Sequence, residues 1–133
     1  MSDHNDLYQA AKDAKSRAHA PYSKFRVGAA LTSSSGQVFV GANVENASYP
    51  EGWCAETSAI AAMIMAGEDK ITEVCVVGSS KEAITPCGGC RQRLAEFSKA
   101  DTLVHIGNDA GITRTFTLGE LLPEAFDKAA LDA

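Results

Sequence analysis

Three cysteines constrain this chain more than any other feature. Cys54 stands in Cys54-Ala55-Glu56, and Cys87 and Cys90 stand in Thr85-Pro86-Cys87-Gly88-Gly89-Cys90. A fold in which these thiols act together must bring two distant segments to one point. Each segment carries the marks of a helix start. Thr85 suits an N-cap, Pro86 suits the first helical position, and the apolar pattern resumes at Leu94 and Phe97. On a helix Cys87 and Cys90 lie three residues apart and share a face. Cys54, near the start of the other helix, can be held beside them, and Glu56 reaches the same space without being a ligand. Three thiolates make a soft site that suits zinc, and three protein ligands leave the fourth tetrahedral position open to water. An open position beside a spare carboxylate is the arrangement of a hydrolytic site.

Length and charge narrow what such a site works on. A chain of 133 residues reads as one domain, residues 1–133, large enough to bury about two thirds of its unfolded surface. The formal charge of −5, with Lys and Arg scattered, argues against a polynucleotide partner, which calls for clustered cations. A small uncharged substrate is expected. No apolar run approaches the ~20 residues of a membrane span, and the start, Met1-Ser2-Asp3-His4-Asn5-Asp6, is polar and acidic, unlike a signal peptide. The expected location is the cytoplasm, where clustered thiols stay reduced and serve as metal ligands rather than disulfides.

Taken in order, Leu7, Ala10, Ala11, Ala14 and Ala18 recur at helical spacing and predict a first helix over about 4–18. Pro21 ends it. Val27–Ser33 and Gln37–Asn43 are strand-like and flank Ser34-Ser35-Gly36, so they predict a hairpin. Residues 44–52 read as a loop. Cys54–Ala66 is apolar on nearly every side and predicts a deeply buried helix with Gly67 as its C-terminal cap. Ile71–Gly78 predicts a strand covered on both faces, residues 86–98 the second cysteine helix, Thr102–Gly107 a strand and Thr113–Leu118 a short last strand. Gly119–Ala130 reads as a short helix or irregular tail. This order of elements predicts a mixed sheet with helices on both faces.

Several residues admit plainer readings. A lone cysteine is more often a small core hydrophobe than a ligand, and Cys75, inside Val74-Cys75-Val76-Val77, is read as core. His4, His19 and His105 have no ligand spacing and are read as solvated or structural. Glu56 alone would merely suit a helix N-terminus. A purely structural zinc site normally has four protein ligands in two pairs, and Cys54 has no nearby second Cys or His. Phe25, between a Pro-containing loop and a strand, is either core packing or a ring facing ligand. Asn43 and Glu45 flank Val44, so their side chains point the same way. They are either turn and edge residues or binding groups.

Cys54-Ala55-Glu56 followed by Pro86-Cys87-Gly-Gly-Cys90 resembles the zinc-dependent cytidine deaminases, in the form with cysteine as all three ligands. Pro21-Tyr22-Ser23-Lys24-Phe25, Asn43-Val44-Glu45-Asn46 and Leu121-Leu122-Pro123-Glu124-Ala125-Phe126 resemble stretches of the small members of that family. The resemblance runs from about residue 20 to 126. It implies a three-layer α/β/α sandwich around a five-stranded mixed sheet, with the two cysteine helices side by side. It implies Zn2+ on Cys54, Cys87 and Cys90, and Glu56 as proton shuttle for hydrolytic deamination of cytidine and deoxycytidine in pyrimidine salvage. By the same resemblance Phe25 packs against the pyrimidine, Asn43 and Glu45 bind the ribose hydroxyls, and Ala55, Tyr49 and Phe126 complete the substrate site. Relatives of this length are homotetramers with shared active sites, so the resemblance also implies Tyr49 and Phe126 as residues that a neighbouring subunit contributes to the pocket. A rival within the fold is a deaminase of a cytosine-containing nucleoside antibiotic, similar to blasticidin-S deaminase; Asn43-Val44-Glu45-Asn46 favours a nucleoside. One departure stands out. Cysteine-only members commonly carry Arg directly after the motif Glu, and this chain has Thr57. Zinc with three thiolates has a charge of 2 − 3 = −1, which two helix N-termini offset in part; either another group such as Arg91 compensates for the rest, or the thiolate charge is left more fully expressed.

Overall fold

The structure, a computed structural model, describes residues 4–82 and 84–132. Five strands form one sheet in the order β2-β1-β3-β4-β5. They are β1 (Val27–Ser33), β2 (Val38–Ala42), β3 (Ile71–Gly78), β4 (Leu103–Asn108) and β5 (Gly111–Thr117). β3 and β4 are parallel and the other pairs antiparallel, so the sheet is mixed. The β1–β2 hairpin closes through Gly36 at φ +89°, a conformation that favours glycine.

Helix α1 (His4–Lys15) covers one face of the sheet. Leu7 and Ala11 pack there with Ala30, Cys75 and Val77. The opposite face carries α2 (Ala55–Met65) and α3 (Gly88–Glu96), which touch each other. Ala59, Ile60 and Met63 of α2 and Leu94 of α3 pack on Ala29, Leu31, Val74, Val76, Val104 and Ile106. This is the expected three-layer α/β/α sandwich. Alternation along the strands sends successive side chains to opposite layers. The parallel β3–β4 pair is covered on both sides, which explains the continuous apolar run of β3. Cys75 is fully buried there, and burial with the nearby Glu73 pushes its thiol up to about 12. His105 is also a buried sheet residue; its Nδ1 lies 2.8 Å from Thr115 Oγ1 and its other ring nitrogen meets Glu73.

Two helix starts and ends differ from expectation. α1 stops at Lys15, three residues early, because Ser16–Ala18 turn toward the loop and His19 joins Val44 in an isolated bridge. α3 starts at Gly88, so its N-cap is Cys87 and not Thr85. Pro86 therefore lies outside the helix, and Thr85 Oγ1 accepts instead from Arg91 Nη2 at 2.7 Å. α2 keeps Cys54 as its N-cap, and Gly67, at φ +87°, follows its end as expected. The loop over 44–52 contains a 3-10 turn at Tyr49–Glu51. β5 is longer than expected, and the tail holds α4 (Leu118–Leu121) and α5 (Lys128–Asp132). α4 is fixed by a Thr117–Glu120 capping box, which orients Leu118 and Leu121 into the core.

Candidate active site

The sulfurs converge because both helices begin at cysteine. Neither Cys54 nor Cys87 caps its helix by a side-chain hydrogen bond, so both sulfurs turn into the space between the helix ends. Their separation is 4.0 Å, and the sulfurs of Cys54, Cys87 and Cys90 all lie within 4.8 Å of one another. Tetrahedral Zn–S bonds of ~2.3 Å put two sulfurs about 3.8 Å apart, so the donor set fits zinc. A disulfide, at ~2.05 Å, does not describe this cluster, and all four cysteines are free. The N-termini of α2 and α3 both favour negative charge at this point.

The cluster is electrostatically uneven. The Cys54 thiol is lowered to about 6, first by a hydrogen bond from Cys90 and then by Cys87 and the charge of Arg93, against the opposing effect of burial. Cys90 is raised, first by its hydrogen bond to Cys54 and then by burial. Glu56 is only 5% exposed. Burial pushes its carboxyl up, with the charge of Cys54 adding, while its own backbone N–H and a bond from Cys90 oppose. Burial thus makes the protonated form of this carboxyl easier to reach than that of an exposed glutamate.

These groups form the end of a cavity of about 380 Å³. Ala55 lines it from the first turn of α2, and Asn43, Glu45 and Tyr49 line it from the loop side. Asn43 and Glu45 also hold the segment across from them. Asn43 Nδ2 donates to Phe25 O at 2.8 Å, and its Oδ1 accepts from Val27 N at 2.9 Å. Glu45 Oε1 accepts from Tyr22 N at 2.9 Å and Ser23 N at 3.1 Å, and its Oε2 accepts from the Ser23 hydroxyl. That hydroxyl in turn accepts from Phe25 N at 3.0 Å. The Ser23 bond is the main cause holding the Glu45 carboxyl below its usual range, with the backbone N–H groups of Ser23 and Tyr22 adding. The Phe25 ring is half-buried against Gly78, which lines the cavity, and would lie 3.6 Å from a Cβ added there. Tyr49 is 75% exposed. Phe126 is not in the cavity wall; it is 60% exposed, and its carbonyl accepts from Gln92 Nε2 at 2.8 Å.

Three contributors escaped the sequence reading. Trp53, beside Cys54, lines the cavity and is half-exposed. Ser23 anchors Glu45; its only signal was its place in Pro21-Tyr22-Ser23-Lys24-Phe25. The charge of Arg93 lowers the Cys54 thiol and the Glu56 carboxyl, whereas Arg91, the expected cation, is committed elsewhere. Arg91 donates to Pro86 O at 2.8 Å, Leu121 O at 2.7 Å and Thr85 Oγ1, so it fastens α3 to α4 and to the loop before it. Thr57 Oγ1 is buried without a hydrogen-bond partner.

A mixed sheet thus sets two helix starts and three thiols able to hold a metal ion around one point, beside a buried carboxyl. Comparison with known proteins places it further. The family model described as "Cytidine and deoxycytidylate deaminase zinc-binding region" matches residues 1–106. The cytidine deaminase of Halalkalibacterium halodurans is 44% identical over 124 residues, 93% of this chain and 94% of that protein. The cytidine deaminase of Mycoplasma genitalium is 44% identical over 115 residues, 85% of this chain and 87% of that protein. Among solved structures, the cytidine deaminase of Burkholderia pseudomallei superposes with a TM-score of 0.89 at 44% identity, covering 94% of this chain and all of that one. The chain belongs to the cytidine and deoxycytidylate deaminase family, and zinc is its metal.

Proposed function

We propose that this protein converts cytidine and deoxycytidine to uridine and deoxyuridine, releasing ammonia. The observation that carries the reading is the convergence of three sulfurs within 4.8 Å beside the buried Glu56, in the wall of a nucleoside-sized cavity. The named relatives are cytidine deaminases, and the antibiotic-deaminase alternative gains no support from them.

Cys54, Cys87 and Cys90 would hold the zinc. When bound, zinc supplies the Lewis acidity that makes water a nucleophile near neutral pH. Glu56 would take a proton from the attacking water as its oxygen adds to C4 of the pyrimidine, and would deliver that proton to N3. Glu56 would then take the proton of the new C4 hydroxyl and pass it to the 4-amino group, which leaves as ammonia as the C4–O double bond forms. Burial of Glu56 favours this work, since its carboxyl is easily protonated and released again. Ala55 closes the cavity beside the cluster. Asn43 and Glu45 take the ribose hydroxyls, supported by the Tyr22–Phe25 segment that they themselves hold. Phe25 and Tyr49 flank the bound nucleoside. Phe126, which does not line this cavity, completes the site of a neighbouring copy in a homotetramer, in keeping with its exposure.

The acidic charge and the ribose-facing carboxylate speak against a polynucleotide substrate. Among the described residues no helix is long and apolar enough to cross a membrane. Reduced thiols and a nucleoside substrate fit pyrimidine salvage in the cytoplasm. The test is an ultraviolet assay of cytidine conversion with and without a chelator. Conversion that stops with the chelator and returns with added zinc supports the reading; a zinc-loaded protein that leaves cytidine untouched overturns it.

A further inference from the structure

We propose that Gln92 and Arg91 are positioning residues that hold the segment carrying Phe126 to the cysteine helix, and so fix the aromatic ring that this chain lends to a second copy. The inference rests on the shared-site reading above. Cys90 is followed directly by Arg91 and Gln92 in α3. Both side chains cross to the C-terminal segment rather than ending in solvent. Arg91 Nη1 donates to Leu121 O at 2.7 Å, and Gln92 Nε2 donates to Phe126 O at 2.8 Å. The pair thus grips the segment at Leu121 and again at the residue that bears the ring.

The grip matters because little else holds this stretch. α4 ends at Leu121 and α5 begins at Lys128. Between them Glu124 sits at φ +55°, a strained conformation for a residue with a Cβ, which persists only where its surroundings impose it. Among the described residues, 123–126 is joined to the rest of the fold by one hydrogen bond, the one from Gln92. Phe126 is largely exposed and outside the cavity wall, so packing within its own chain does not set its ring. A bond to its carbonyl does, because it fixes the peptide plane from which the ring hangs. Arg91 makes the other anchor rigid. Its planar fork also donates to Pro86 O at 2.8 Å and Thr85 Oγ1 at 2.7 Å. One guanidinium therefore ties Leu121 to the loop that leads into Cys87.

The test uses the full chain loaded with zinc and reads both the segment and the substrate. Chymotrypsin cuts after phenylalanine, so the carbonyl that Gln92 holds is the one attacked at Phe126, and mass spectrometry follows the loss of residues 127–133. Gln92→Ala should be cut there about two- to tenfold faster than the parent, the factor expected for one hydrogen bond. Its KM for cytidine should rise by about the same factor, with zinc content unchanged and kcat within about twofold. Phe126→Ala should raise KM at least as much. The double variant should go no further than Phe126→Ala alone, because Gln92 acts through that ring. Arg91→Lys, which keeps the charge without the fork, should also speed the cut. Gln9→Ala, which removes an exposed glutamine bond on α1, should match the parent throughout. A cut at Phe126 in Gln92→Ala at the parent's rate would overturn the proposal, as would additive losses in the double variant; a parental rate in Arg91→Lys would remove Arg91 from it. If Phe126→Ala leaves KM unchanged, the shared-site reading fails, and the cleavage rates then decide whether Gln92 holds the segment.

Discussion

Gly41 is the position at which a single methyl group should reach the active site through the fold alone. It pairs with Ala29 on the sheet face that α2 covers. A Cβ at Gly41 would stand 2.4 Å from Ala59 N, 2.6 Å from Ala55 O and 2.7 Å from Ser58 Cβ. The first two are helix backbone atoms and cannot rotate away. Ordinary contact begins near 3.4 Å, so Gly41→Ala must lift the start of α2 by about 1 Å. Overpacking of this kind costs ~1–3 kcal/mol, and a chain of this size loses ~3–4 °C in Tm per kcal/mol. The displaced turn carries Cys54, Ala55 and Glu56, while Cys87 and Cys90 stay with α3. The cluster should therefore be pulled apart, with a loss of zinc affinity and ~10²-fold in kcat/KM from a shift of that size. Gly28→Ala is the control. Its Cβ would meet Ala11 O at 2.1 Å and Lys15 N at 2.4 Å, on the opposite face under α1. It should lower Tm comparably while the zinc-loaded fraction keeps its kcat. Elemental zinc, thermal unfolding and cytidine kinetics on the two variants decide the matter. Full zinc and parental activity in Gly41→Ala would refute the claim that the sheet sets the position of the catalytic turn.

The remaining predictions are more local. Cys54→Ala, Cys87→Ala and Cys90→Ala should each lose zinc and activity, whereas Cys75→Ala should keep both; full zinc in Cys87→Ala by elemental analysis would remove it from the ligand set. Glu56→Gln should keep zinc and lose ~10²–10⁴ in kcat, with activity near the parent's reducing Glu56 to a buried helix residue. Because burial raises the folded pKa of Glu56, its charge penalises the metal-free fold above the unfolded value of 4.5. Metal-free Glu56→Gln should therefore be more stable than the parent at pH 7–8, and chemical denaturation should show that gain fading toward pH 4. Glu45→Ala should cost about 1–3 kcal/mol in kcat/KM for cytidine but little for a 3′-deoxy analogue, which already lacks the partner hydroxyl; additive losses in that double-substitution cycle would separate Glu45 from the hydroxyl. Ser23→Ala should raise the Glu45 pKa toward its ordinary value, so an acid limb due to Glu45 in kcat/KM should move to higher pH.

Much of this was legible because it depends on local patterns. The two strand-like runs on either side of Ser34-Ser35-Gly36, the unbroken apolar run of β3 and the glycine after α2 give strands and ends without knowledge of the sheet. The cysteine spacing brings Cys87 and Cys90 to one face, and the motif carboxylate stands beside Cys54. What escaped depends on contacts between distant segments. Nothing local to Thr85 shows that Arg91 will bind its hydroxyl and leave Cys87 as the N-cap. Ser23 and Glu45 meet only because His19 and Val44 bring the two loops together. Arg91 and Arg93 are equally plausible cations in sequence. Only the path of each side chain, one toward Leu121 and the other back over Gly89, tells them apart.

The same contacts show why the site must be built on rigid elements. It gathers three sulfurs, a carboxyl and the unsatisfied starts of two helices into one place. Without metal, the site holds a buried Glu56 whose charged form is disfavoured and a Cys90 whose thiol resists ionisation. Left to relax, such groups would separate into water. They are kept together by parts with no role in the chemistry: Ala29 and Leu31 under α2, Leu94 under α3, and Arg91 bonding the start of α3 to α4. Metal binding would turn the thiols' competition for a proton into shared ligation, so zinc should stabilise this fold by more than its contacts alone suggest. The corresponding observation is a Tm that rises with zinc in the parent and not in Cys87→Ala. Equal responses in the two proteins would mean that the cluster's strain is borne elsewhere in the fold.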